Sequence, residues 1–73
     1  MHFTHMPLFI LDLKYGDDRT LENEMLWFPD VETAEGAARD IGHEIIRRLG
    51  FDKINIAIHD QHRRLQKELV VSS

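Results

Sequence analysis

Apolar and polar side chains alternate from Pro7 to Lys14, with Phe9, Leu11 and Leu13 on one side and Leu8, Ile10 and Asp12 on the other. A period of two predicts a strand, and the apolar content of both sides predicts a central one. Tyr15-Gly16-Asp17-Asp18 then reads as a turn. Arg19 to Asn23 is polar and reads as a loop or a frayed strand start. A second strand is expected from Glu24 to Phe28, where Met25, Leu26, Trp27 and Phe28 suit a sheet, and Pro29 ends it.

At Asp30 the period changes. Val31, Ala34, Ala38, Ile41, Ile45 and Leu49 recur at three- and four-residue spacing and predict a helix with one apolar stripe. Asp30 occupies the N-cap position, Glu32 and Glu35 lie in the first turns, and Arg47 and Arg48 in the last. All of these suit the helix dipole. Gly50 follows as a C-terminal glycine should. From Lys53 to Asp60 the period returns to two, with Ile54, Ile56 and Ile58 on one side and Asn55, Ala57 and His59 on the other. Asp60-Gln61-His62-Arg63 has hairpin length, and Leu65 to Val71 forms a fourth strand with Leu65, Leu69 and Val71 on one face. Lys67 interrupts that face, which predicts an edge strand whose lysine stem reaches solvent.

The expected fold is α+β: a ββαββ chain, with a four-stranded antiparallel sheet and one helix packed on one face. Residues 1–6 read as an extension, 7–71 as one domain and 72–73 as a tail. The pattern leaves the strand order open.

Composition narrows the chemistry. The 73 residues contain no cysteine, which excludes disulfides, thiolate zinc sites and cysteine nucleophiles and fits a reducing, cytoplasmic setting. No apolar run is long enough to span a bilayer, and Met1 to Met6 lacks the features of an export signal. The net charge of −4 is unevenly spread. Residues 1–36 carry two basic and eight acidic side chains, and residues 37–73 carry seven and five. An acidic whole argues against a dedicated nucleic-acid binder, and the basic second half leaves room for a local patch.

Three stretches together resemble a known pattern: Met6-Pro7-Leu8-Phe9, Gly16-Asp17 and Phe28-Pro29-Asp30-Val31-Glu32-Thr33-Ala34. With the closing strand, Asp60 and Leu65, they resemble the domain of unknown function 6894 family of short bacterial proteins, over most of residues 6–71. The resemblance implies the same ββαββ layout and no activity. The family's last turn usually carries a glycine where this chain has Gln61-His62-Arg63-Arg64. A weaker similarity is to the partial ribonuclease-H-like fold of HicB-type antitoxins, without their DNA-binding segment.

Candidate chemistry is sparse. His59 and His62, with Asp60 between them, are spaced as two metal ligands, but a zinc site needs three or four, and His2 and His5 could add to them. Glu35, Arg39, His43 and Arg47 run along the polar side of the helix, where a solvated face with a Glu35–Arg39 pair explains them. Arg47, Arg48, Arg63 and Arg64, with Lys53 and His62, form a candidate anion-binding patch. Asp17 and Asp18 suit turn geometry better than acid–base work, and the only serines, Ser72 and Ser73, have no base beside them.

The sheet face away from the helix is more informative. Leu8, Ile10, Met25, Trp27, Ala57 and Val70 are expected there, an apolar surface that one helix cannot cover. Phe3 and Met6 of the N-terminal segment could fold over it; the alternative is an interface. The expectation is a non-enzymatic interaction module without a cofactor, forming a homodimer or binding another protein. The second reading is an antitoxin-like or nucleic-acid-associated regulator using the arginine patch, and the third a metal-dependent enzyme at His59 and His62.

Overall fold

The computed structural model describes residues 6–16 and 19–73. Strands β1 (Leu8–Tyr15) and β2 (Arg19–Trp27) are followed by helix α1 (Val31–Leu49) and strands β3 (Lys53–Asp60) and β4 (Leu65–Ser72). All neighbours pair antiparallel in the order β2-β1-β3-β4. The apolar β1 and β3 are therefore central, and β4 is an edge, as Lys67 foretold. Among the described residues no helix is long and apolar enough to cross a membrane.

The segment Arg19 to Asn23, expected as a loop or a frayed start, is instead the first half of β2. Pairing with Asp12 to Tyr15 supplies its backbone partners despite the polar side chains. An edge strand tolerates such residues because one side is open to water. A bulge between Leu13 and Lys14 in the pairing leaves Leu21 as the extra residue, packed against the core. The strand stops at Trp27, one residue early, and Phe28 N–H donates to Pro7 O at 3.1 Å.

Helix α1 begins and ends where its caps require. Asp30 Oδ1 accepts from Thr33 N at 2.7 Å and from the Thr33 hydroxyl at 2.8 Å. Gly50 has φ 77° and donates its N–H to Ile46 O, the left-handed closure that glycine permits without crowding. The buried stripe is Ala34, Ala38, Gly42, Ile45 and Ile46. Leu49, expected in that stripe, is 58% exposed. Steps of four residues drift around a 3.6-residue helix, so by the last turn Ile46 has rotated inward and Leu49 outward. Phe51 packs against the core beyond the cap, and its ring lies 4.3 Å from that of Tyr15.

The helix lies on β3 and β4, touches β1 less, and does not reach β2. One core results, made by Phe9, Leu11 and Leu13, by Ile54, Ile56 and Ile58, by Leu69 and Val71, and by the helix stripe. Because β2 overhangs, Glu22 and Glu24 can face the helix side of the sheet. They border an open groove with Asp40, Ile41, Glu44 and Arg48. At the other edge, Lys67 lies opposite Ile58 and reaches over the core to pair with Glu35, which Arg39 also holds at 3.1 Å. Lys67 stays half exposed, as expected at an edge, and its pair with Glu35 also ties β4 to the first turns of α1.

Candidate functional site

Register fixes which side chains share the helix-free face. Trp27 lies opposite Leu8. The next row runs Met25, Ile10, His59 and Leu65 across all four strands. The third row is Asn23, Asp12, Ala57 and Glu68, and the fourth contains Lys14, Asn55 and Val70. The six residues expected on this face are all there, but they do not form one patch. Leu8, Ile10, Met25 and Trp27 sit together at one end. Ala57 lies among polar neighbours, and Val70 stands two rows from the apolar end, beyond Glu68 and opposite Asn55.

Leu65 joins the apolar end, whereas strict alternation had placed it with Leu69 and Val71 on the core side. The pairing of β3 with β4 slips between Ile58 and His59, so Leu65 comes opposite His59 and Gln66 is the extra residue. A bulge of this kind moves every side chain beyond it to the other face. Met25 is 68% exposed, Trp27 61% and Leu65 50%, with Leu8 and Ile10 half-buried beneath them. Met6 adds another exposed apolar side chain just before β1. Phe3, the other residue considered as a cover, lies outside the described residues, as do His2, His5, Asp17 and Asp18.

The polar part of the face has its own order. Lys14 Nζ lies 3.5 Å from Asp12 Oδ2, while Asp12 Oδ1 is buried and has no hydrogen-bond partner among the described residues. Ile10, Asp12, Asn23, His59 and Arg63 line a notch of about 230 Å³ beside the apolar end. A second hollow of about 370 Å³ lies around Lys14, Asn55, Ala57, Glu68 and Val70.

The arginines expected to act together are separated. Arg47 and Arg48 end the helix beside the start of β3, and Arg47 pairs with Glu44. Arg63 and Arg64 lie past the other end of β3, whose eight residues span about 23 Å. His59 points into the helix-free row, and His62 sits in the turn. Among the described residues no three His, Asp or Glu side chains gather as metal ligands.

The β3–β4 turn is organised by Asp60. Its Oδ1 accepts from His62 N at 2.8 Å and Arg64 N at 2.9 Å, and Oδ2 accepts from Gln66 Nε2 at 3.1 Å. The Arg64 N–H, followed by that of His62, holds the Asp60 carboxyl below the usual carboxylate range. Lys67 and then Arg39 lower Glu35 in the same direction, and the Thr33 N–H and hydroxyl lower Asp30. These are structural carboxylates, each held by its own cap, pair or turn. Comparison with protein-family models, curated proteins and solved structures gives no match.

Proposed function

We propose that this protein is a non-enzymatic interaction module that self-associates through the helix-free face of its sheet. The observation that carries the reading is the gathering of Trp27, Met25, Leu65, Leu8 and Ile10 at one end of that face, with three of them at least half exposed. Leaving such side chains wet forgoes about 25 cal/mol per Å² of apolar surface. Tryptophan and methionine are also enriched at protein interfaces. A second copy is the occupant that the charge pattern favours. The face carries both signs, Lys14 and Arg63 beside Asp12 and Glu68, and a mixed face suits a copy of itself better than a strongly acidic or basic partner.

Area sets the strength to expect. Four strands about 4.8 Å apart and about eight residues long present on the order of 500 Å². Two copies pairing over the whole face would bury on the order of 1,000 Å², the low end for a specific interface, and a contact confined to the apolar end would bury less. An interface of that size suits a weak, transient association rather than an obligate dimer. Light scattering coupled to size exclusion, from ten to several hundred micromolar, should show a concentration-dependent dimer. Ile10→Lys with Trp27→Lys should abolish it while leaving the core face untouched. Wild-type protein that stays monomeric throughout, with Trp27 emission unchanged on dilution, would overturn the reading. Loss of stability on removing residues 1–5 would then show that the face is covered from within the chain.

A further inference from the structure

The two outer edges of the sheet are unlike. Helix α1 lies over β4 and β3 and does not reach β2. The space above the sheet is therefore filled at the β4 edge and open at the β2 edge, where a groove of about 380 Å³ runs between strand and helix. Strand β2 is nine residues long, contains no proline and, among the described residues, pairs with β1 alone. Every second backbone N–H and C=O of such a strand points outward, and an added strand can bond to that row.

The side chains around the groove indicate what the added strand would carry. Glu22 and Glu24 stand opposite Leu13 and Leu11, half-buried on the core side of an outer strand. Asp40, Ile41 and Glu44 line the groove from the helix, and Arg48 is the one cation among the described residues there. Among the described residues Glu22, Glu24 and Asp40 form no ion pair. Carboxylates in this place repel a strand like β2 itself, which disfavours a second copy at this edge, and they attract a strand with cations beside them. The other edge already shows such a contact. There Lys67 extends from the outer strand β4 across the core side of the sheet to Glu35 on α1. A lysine or arginine on a strand beside β2 would stand next to Glu22 and Glu24 as a cross-strand pair, and its stem would carry the charge toward Asp40 and Glu44.

We infer that β2 accepts an extended basic segment of a partner protein as a fifth strand, with lysine or arginine at alternate positions on the helix side. The backbone supplies the bonds, and the carboxylates select the sequence. The contact uses the outer edge and the helix side of β2, so it does not depend on the self-association proposed above.

A capped peptide of alternating lysine and threonine, nine residues long like β2, is the probe. In an NMR titration followed by amide hydrogen exchange, alternate β2 amides should gain protection of about tenfold or more, with those of β4 unchanged. A glutamate–threonine peptide of the same length should not bind. Glu22→Gln with Glu24→Gln should weaken the lysine peptide at least about fivefold, and so should Asp40→Lys, a change on the exposed surface of the helix that spares the sheet. Methylating the peptide's backbone nitrogens keeps every charge and removes the N–H donors, so that peptide should not bind. Equal binding of the methylated peptide would mean charge attraction without an added strand, and protection at β4 would move the site to the other edge. Either result overturns the inference, as would unchanged affinity in the folded variants or no shift at about one millimolar peptide. Outward β2 amides that gain protection with protein concentration alone would make a second copy the occupant and overturn it as well.

Discussion

Asp60 holds three donors with two oxygens, and so closes a hairpin that lacks the expected glycine. The same economy recurs at Asp30, which caps α1 through the Thr33 N–H and hydroxyl, and at Glu35, shared by Arg39 and Lys67. Each of these carboxyls has its folded pKa lowered by those partners. The unfolded chain then binds protons more readily than the folded one, so their stabilisation is complete above about pH 5 and is lost as pH falls through the lowered values. The three carboxyls should therefore contribute a fall in melting temperature as the pH drops below about 4, read from thermal melts. Asp60→Asn keeps an acceptor for the turn but removes the titration. Its deficit relative to wild type should shrink as the medium becomes acid. A deficit equal at pH 7 and pH 3 would show that the Asp60 charge has no part in the turn.

At the scale of elements, the close approach of α1 to the sheet depends on Gly42. A Cβ built there would lie 3.0 Å from Val71 Cγ2 and 3.1 Å from Ile56 Cδ1. The helix can seat itself on β3 and β4 because this position has no side chain. Gly42→Leu should cost about 1–3 kcal/mol or more through overpacking, despite leucine's better helix propensity, and denaturant melts would measure it. A variant as stable as wild type would mean that the helix can ride outward without loss. The apolar spacing that marks α1 in the sequence does not single out Gly42, since a glycine in a helical run looks like a weak point rather than a contact. The central strands β1 and β3 and both helix caps were legible because they follow from local periodicity and capping chemistry alone. The first half of β2 was not, because the pairing of Arg19 to Asn23 is decided by β1 and not by their own residue types. The place of Leu65 was hidden for a related reason: the β3–β4 slip arises at a turn whose left-handed residue is an arginine. Glu35 read correctly as a partner of Arg39, but its second partner comes from a distant strand.

On the scale of the whole molecule, the two sides of the sheet do different work. The helix side is closed over the core, while the far side is divided into an apolar end and a polar remainder by the row of Asn23, Asp12, Ala57 and Glu68. In the proposed self-association, that division would set which apolar residues take part. Leu65 and Val70 are alike in exposure, 50% and 54%, and both lie on the edge strand β4. Leu65 adjoins His59 and, through it, Ile10 and Met25, whereas Val70 adjoins Asn55 and stands beyond Glu68. If the apolar end is the centre of the contact, residues at that centre are desolvated and those at the rim stay wet, so equal exposure in the free chain does not mean equal weight. Leu65→Lys should then weaken the dimer at least about tenfold, the equivalent of about 1.4 kcal/mol, while Val70→Lys should change it by less than about threefold. Sedimentation equilibrium on the two variants beside wild type measures both. Equal losses would mean that the second copy covers the whole face, polar rows included. An effect of Val70→Lys alone would move the contact to the other end of the sheet, away from Trp27.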